Sequence, residues 1–201
     1  MTSADDFGVD YAGEQLRRSR HPFRKAVKFF YLENILRDVI GKTIDFGCGA
    51  GQLLARLPAG SLGLEINPQL VAALRRDGLN SQLYDPHDDF SFFDLPLAHY
   101  ETFVMAHVLE HFDDAASVLR KILSSCYRLG VARAIIVLPG KIGFRADTTH
   151  KTFVSRQYIM EHALVNCEGY ALSDVSYFPV NIEAIGDYFV FHEMKLLYRR
   201  S

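Results

Sequence analysis

Thr43-Ile44-Asp45-Phe46-Gly47-Cys48-Gly49-Ala50-Gly51-Gln52-Leu53-Leu54-Ala55-Arg56-Leu57 holds a short apolar run, three glycines at alternate positions and then Leu53, Leu54 and Leu57 at helical spacing. The run Ile44 to Phe46 reads as a buried strand and the leucines as the apolar face of a following helix. Glycine tolerates positive φ and brings no Cβ, so a bound group can lie directly against such a turn. The free N–H groups at the start of the next helix would then point at that group. A strand, a glycine turn and a helix in this order form a nucleotide-type cofactor seat at the carboxyl edge of a parallel sheet. The third glycine falls one residue too early for Gly-x-Gly-x-x-Gly, and no Gly-Lys-Ser/Thr follows, so neither the dinucleotide fingerprint nor a P-loop is present.

Working outward, strands and helices alternate. The run Ser61 to Ile66 reads as a second strand closing on Glu65, and Asn67-Pro68 as a helix start with Asn as cap and Pro in the first turn. Leu70, Val71 and Leu74 give that helix an apolar face, Gly78 closes it, and Ser81 to Tyr84 is a third strand. Residues 85–99 read as an irregular loop packing Phe90, Phe92 and Phe93 inward. Thr102 to Ala106 is the fourth strand, Asp113-Asp114 caps a helix from Ala115 to about Tyr127, and Ala134 to Leu138 is a buried fifth strand. A long loop to Thr152 and a helix near Ser155 to Leu164 follow. The runs 171–180 and 187–197 look like two final strands, the last antiparallel at the edge. Right-handed crossovers then give an α/β, doubly wound, mostly parallel seven-stranded sheet. The whole chain, 1–201, reads as one domain, with an N-terminal segment and helix over 1–40 and an α/β core over 41–201.

Composition narrows the function classes. Lys and Arg number 22 against 24 Asp and Glu, a net charge of −2 that offers no general attraction to nucleic acid or anionic membrane. No apolar run approaches the ~20 residues of a membrane span, and the acidic Met1 to Asp6 lacks the order of a signal peptide. The three cysteines, Cys48, Cys126 and Cys167, are scattered and out of metal spacing, as expected of reduced thiols in a cytoplasmic protein. Arg17, Arg18, Arg20, His21, Arg24, Lys25 and Lys28 form a basic cluster, either the solvated face of a helix begun at Pro22 or an entrance that attracts an anionic acceptor. Phe23, Val27, Phe30, Tyr31, Ile35 and Val39 recur at helical spacing and read as core.

Three motifs in order, Asp45-x-Gly47-x-Gly49-x-Gly51, Glu65 in Gly63-Leu64-Glu65-Ile66-Asn67, and His107-Val108-Leu109-Glu110-His111, make residues 40–165 resemble the class I S-adenosyl-L-methionine (SAM)-dependent methyltransferases. The resemblance implies SAM as cofactor, seated on Asp45, Phe46, Gly47, Cys48, Gly49 and Gly51, with Glu65 accepting both ribose hydroxyls and Ile66, His107 and Val108 at its border. Asp85 is expected either to meet the adenine amino group or simply to turn the chain before Pro86.

For catalysis the expected residues are His107, His111 and His150, since a hydroxyl or protonated amine acceptor must lose a proton to a His or carboxylate. His150 reads as an acceptor contact or general base, or as a loop histidine capping the next helix. His107 to His111 also matches His-x-x-Glu-His, the inverted zinc-peptidase pattern. That pattern needs both rings on one helical face, whereas this stretch sits at a strand–helix junction. Some methyltransferases that resemble this chain, those of small RNAs among them, carry Glu-x-x-Glu-His here plus a distant His and hold magnesium. With His107 in place of the first Glu, a hard-cation site on Glu110, His111 and His150 is disfavoured; no metal is expected, a softer divalent ion on those three residues being the alternative. The function implied is methyl transfer to an oxygen or nitrogen of a small-molecule or glycan-like acceptor. An RNA-directed enzyme and a non-catalytic SAM-fold binding protein are the alternatives.

Overall fold

The computed structural model describes residues 31–201. The basic cluster at Arg17–Lys28, the helix start at Pro22 and the apolar positions up to Phe30 lie outside the described residues.

The core is one eight-stranded sheet. Strands β1 (Thr43–Phe46), β2 (Leu62–Glu65), β3 (Ser81–Leu83), β4 (Thr102–Ala106) and β5 (Arg133–Pro139) are parallel. Strands β6 (Asn166–Cys167), β7 (Tyr170–Phe178) and β8 (Glu193–Arg200) complete it as antiparallel neighbours, in the order β3-β2-β1-β4-β5-β8-β7-β6. The order reverses between β1 and β4, the switch point at which doubly wound sheets open a crevice above their carboxyl ends. Two sequence expectations change. The sheet has eight strands because β6 adds a two-residue pairing to β7. The last strand is not at the edge: β8 inserts between β5 and β7, and its buried run Met194 to Tyr198 suits a two-sided position.

Helix α1 (Pro68–Arg76) starts as expected. The Asn67 side chain accepts from the N–H groups of Gln69 and Leu70, and Leu70, Val71 and Leu74 are buried. Helix α2 (Ala115–Leu129) is capped by Asp114 and ends at Gly130 in the left-handed region. Short helices α3 (Lys141–Arg145) and α4 (Arg156–Glu161) flank the loop that follows β5, so that loop is partly helical. The helix expected after the glycine turn is only one 3₁₀ turn, Leu54–Arg56. Six residues separate Gly51 from Pro58-Ala59-Gly60, and Leu57, preceding proline, is driven extended at ψ 158.

Side chains of β1 alternate. Ile44 and Phe46 enter the larger apolar cluster with Tyr84, Phe90, Phe92 and Phe103, whereas Asp45 lies buried on the opposite face. That second face packs Val104, Ile135, Val137 and Leu197 against Tyr31, Leu32 and Ile35 of the helical residues 31–36. Lys195 pins this segment, donating to the Asn34 carbonyl at 2.9 Å and to Asp38. Phe93 departs from the inward reading of its loop: it is 74% exposed, with the Arg128 guanidinium over its ring.

Candidate functional site

The glycine turn carries φ values of +72°, +53° and +71° at Gly47, Gly49 and Gly51, a region L side chains enter at a cost. Their surroundings differ. A Cβ on Gly47 would lie 2.4 Å from Val108 Cγ2, and one on Gly51 2.3 Å from Leu74 Cδ2. A Cβ on Gly49 would meet nothing within 4 Å. Gly47 and Gly51 therefore let neighbours close in, while Gly49 presents bare backbone to open space.

Glu65, at the carboxyl end of β2, turns its carboxylate onto this turn. Its Oε2 accepts from the Gly49 N–H at 2.8 Å and its Oε1 from the Asn67 N–H at 3.0 Å. Burial raises its pKa above the usual carboxylate value, against the opposing pull of the Asn67, Gly49 and Ile66 N–H groups. A carboxylate offers about four lone-pair sites, so two backbone bonds leave room for ligand hydroxyls. The Cys48 thiol is pushed up by burial and by the Asp45 and Glu65 charges, so it stays a thiol. Phe46 brings only its backbone to the turn, because its ring belongs to the aromatic core beside Tyr84 and Phe92. Ile66 is half-buried against the same core. Asp85 accepts the His87 N–H at 2.9 Å and caps a 3₁₀ turn, the turn role weighed from sequence.

The other half of the site rises from the end of β4. His107 takes φ +58°, an uncommon conformation for a residue with a side chain. Its Nε2 lies 3.0 Å from Glu193 Oε1 and its Nδ1 3.4 Å from Glu110 Oε1. Burial works to lower its pKa, but the Glu193 and Glu110 carboxylates outweigh this and lift it to about 10. His107 is thus an imidazolium clamped between two acids. Sequence reasoning missed Glu193. It reaches His107 because β8 pairs antiparallel with β5, setting Glu193 opposite Pro139, and no local pattern announces that register. The Tyr31 phenol, raised by burial and by the charges of Glu193, Asp45 and Glu110, borders the same acidic pocket.

The structure also brings His150 to this place. Lys151 and Thr152 donate their N–H groups to the Glu110 carbonyl at 2.8 and 3.1 Å, and the Thr152 hydroxyl bonds the Phe112 carbonyl at 2.7 Å. This staple sets the His150 Nε2 3.7 Å from Glu110 Oε1, with its Nδ1 2.8 Å from the Phe144 carbonyl. The His111 and His150 ring centroids are 4.8 Å apart. His111 Nδ1 meets the Thr149 carbonyl at 3.3 Å and the Thr149 hydroxyl at 3.1 Å, and burial lowers its pKa. Phe144 lies against both His150 and Phe153. Phe153, Gly140, Lys141, Tyr177 and His192 line a cavity of about 470 Å³ beyond the end of β5.

Residues 44–131 match a family model described as a methyltransferase domain, the span from β1 to the residue after α2's cap. Among solved structures, a SAM-dependent methyltransferase from Archaeoglobus fulgidus superposes with a TM-score of 0.67 at 18% identity, covering 92% of this chain and 98% of that one. The chain carries the class I methyltransferase fold. A magnesium protoporphyrin IX methyltransferase from Synechocystis, solved with bound SAH, gives a TM-score of 0.66 at 14% identity, covering 98% of this chain and 97% of its own. A [4+2]-cyclase shares the methyltransferase fold as well, with a TM-score of 0.60 at 12% identity over 90% of this chain and 83% of that one. No curated protein matches the chain in sequence. Among the described residues of this methyltransferase fold, no helix is long and apolar enough to cross a membrane.

Proposed function

We propose that the protein is a SAM-dependent methyltransferase acting on an oxygen or nitrogen of a small-molecule or glycan-like acceptor. A shared fold does not select a reaction, so the reading rests on the site. The observation that carries it is Glu65 turned onto Gly49, a buried carboxylate 2.8 Å from a backbone N–H whose glycine faces open space. That pair offers an adenosyl group a bare backbone to lie on and an acceptor for its ribose hydroxyls. Asp45, Glu110 and Glu193 give the second half of the crevice a negative potential suited to a sulfonium. When bound, SAM supplies an electrophilic methyl carbon. The chain's part is to hold the acceptor in line with it, and near-attack placement is worth ~7–11 kcal/mol.

His111 and His150 stand on the acceptor side, where the loop after β5 meets the end of β4. His107, kept charged by Glu193 and Glu110, positions Glu110 and is not available as a base. The cavity beyond β5, about 470 Å³, falls within the range of small-molecule sites, and its lining residue Phe153 packs against Phe144, which stacks on His150. The decisive test incubates the full-length protein with methyl-labelled SAM and a panel of hydroxylated, amino and glycan acceptors, with short RNA as the contrasting arm. Label transfer to a small acceptor, lost in Glu65→Ala, supports the reading. Transfer to RNA alone, or no turnover with any acceptor class, overturns it.

A further inference from the structure

We propose that the cavity beyond β5 binds the acceptor, and that this acceptor is a flat, uncharged aromatic molecule bearing hydroxyl or amino groups. The proposal names a substrate class for the methyl-transfer reading and rests on that reading. The first observation is the aromatic lining. Phe153 enters from the segment after β5, tilted against Phe144 at a centroid distance of 5.3 Å. Tyr177 of β7 and His192, just before β8, bring a stacked pair, 14° from parallel with centroids at 5.5 Å. Val154, Ala184 and Met194 add apolar surface. Such faces and edges favour a further ring over a chain of polar groups. A sugar would bury several hydroxyls against Phe153, Val154 and Met194 without partners.

The second observation is how the charges are disposed. Lys141 is paired with Asp187 at 3.2 Å, and the buried His192 spends its Nε2 on the Val180 carbonyl at 3.1 Å. Neither group is left over for an anionic acceptor. Glu183 is exposed on the same lining. Its carboxylate is near enough to the buried Tyr177 hydroxyl to help push that phenol's pKa up to about 12, burial being the larger cause. A ring lying on Tyr177 therefore carries its own O–H or N–H to Glu183, which accepts it.

The wall that bears Glu183 is fixed in place. The Gly140 N–H donates to the His192 carbonyl at 2.7 Å, and a Cβ on Gly140 would lie 3.1 Å from the Gly186 Cα. The connection between β7 and β8 thus packs backbone to backbone on the start of α3. Its Tyr188, Phe189 and Phe191 are exposed and stand outside the cavity lining. They give an apolar probe a second place to adhere, and the test its control.

The test titrates the full-length protein, without SAM, with N-phenyl-1-naphthylamine and follows the probe's fluorescence. One equivalent is expected to bind. 1-Naphthol should displace it about tenfold or more better than naphthalene does, as a hydrogen bond to a carboxylate requires, and glucose should not displace it. Ala184→Phe, filling the cavity from an exposed position, should weaken the probe at least tenfold. Glu183→Ala should erase the advantage of 1-naphthol over naphthalene, and Tyr188→Ala should change neither result. Glu183 is also exposed, so its variant keeps the test meaningful if Ala184→Phe fails to fold. Absence of one-equivalent binding, displacement by glucose, or binding lost in Tyr188→Ala but kept in Ala184→Phe overturns the proposal. So does transfer of label from SAM to glycans and not to dihydroxynaphthalene. Intact probe binding with no turnover of any acceptor instead faults the methyl-transfer reading and keeps the ligand class of the cavity.

Discussion

Gly49 and Gly51 carry the same kind of backbone but should answer differently to a methyl group. Gly49→Ala meets open space, so it should lose only the ~1–2 kcal/mol of an L residue held at positive φ. Gly51→Ala also drives a Cβ to 2.3 Å from Leu74 and 2.9 Å from Leu79, and should lower the urea midpoint by considerably more. SAM affinity should rank them in reverse, since the open backbone at Gly49 is the surface a ligand lies against. Glu65 gives a pH signature. Burial raises its pKa, so it takes up its proton at a higher pH than an ordinary glutamate. Protonation removes the charge and one acceptor position, so SAM affinity should fall on acidification through that raised value. In Glu65→Gln, affinity should be low throughout and that acid limb absent, as calorimetry across the acidic range would show.

Among the elements, β1, β2, β4 and β5 were readable because each is a short apolar run bounded by turn residues, and α1 because Asn67-Pro68 marks its start. Strand β3, Ser81-Gln82-Leu83 with two exposed residues, was legible only from its place between Gly78 and Asp85. Asn67→Ala should cost ~1 kcal/mol of stability through loss of the cap, measured by denaturant unfolding. What the sequence hid lies in pairings between distant segments. The leucine spacing after Gly51 pointed to a helix, but Pro58 leaves too few residues to sustain one. Phe93 looked like a core aromatic beside Phe90 and Phe92, yet its ring ends under Arg128 at the surface. Glu193 had no local motif at all, and it enters the site through β8's register against β5. The convergence of His150 on Glu110 was partly legible, because both residues stood out as reactive types. The staple that joins them is mostly backbone hydrogen bonding, which side-chain identity does not reveal.

For the molecule as a whole, the sheet order puts the glycine turn, Glu65 and the end of β4 on one edge, on either side of the switch point. Lys195 ties residues 34–38 to β8 from a nearly dry position, 6% exposed. Replacing it with Ala leaves Asp38 without its ammonium partner and should cost on the order of 3 kcal/mol, read from the urea midpoint. The assignment of function rests on adenosyl binding at that edge. Isothermal calorimetry with SAM addresses it directly, comparing the unaltered protein with Glu65→Ala. One site per chain is expected, weakened on the order of a hundredfold or more in the variant, as two hydrogen bonds to a charged acceptor at ~1.5–3 kcal/mol each require. No heat at millimolar SAM, or an affinity indifferent to Glu65, would contradict it.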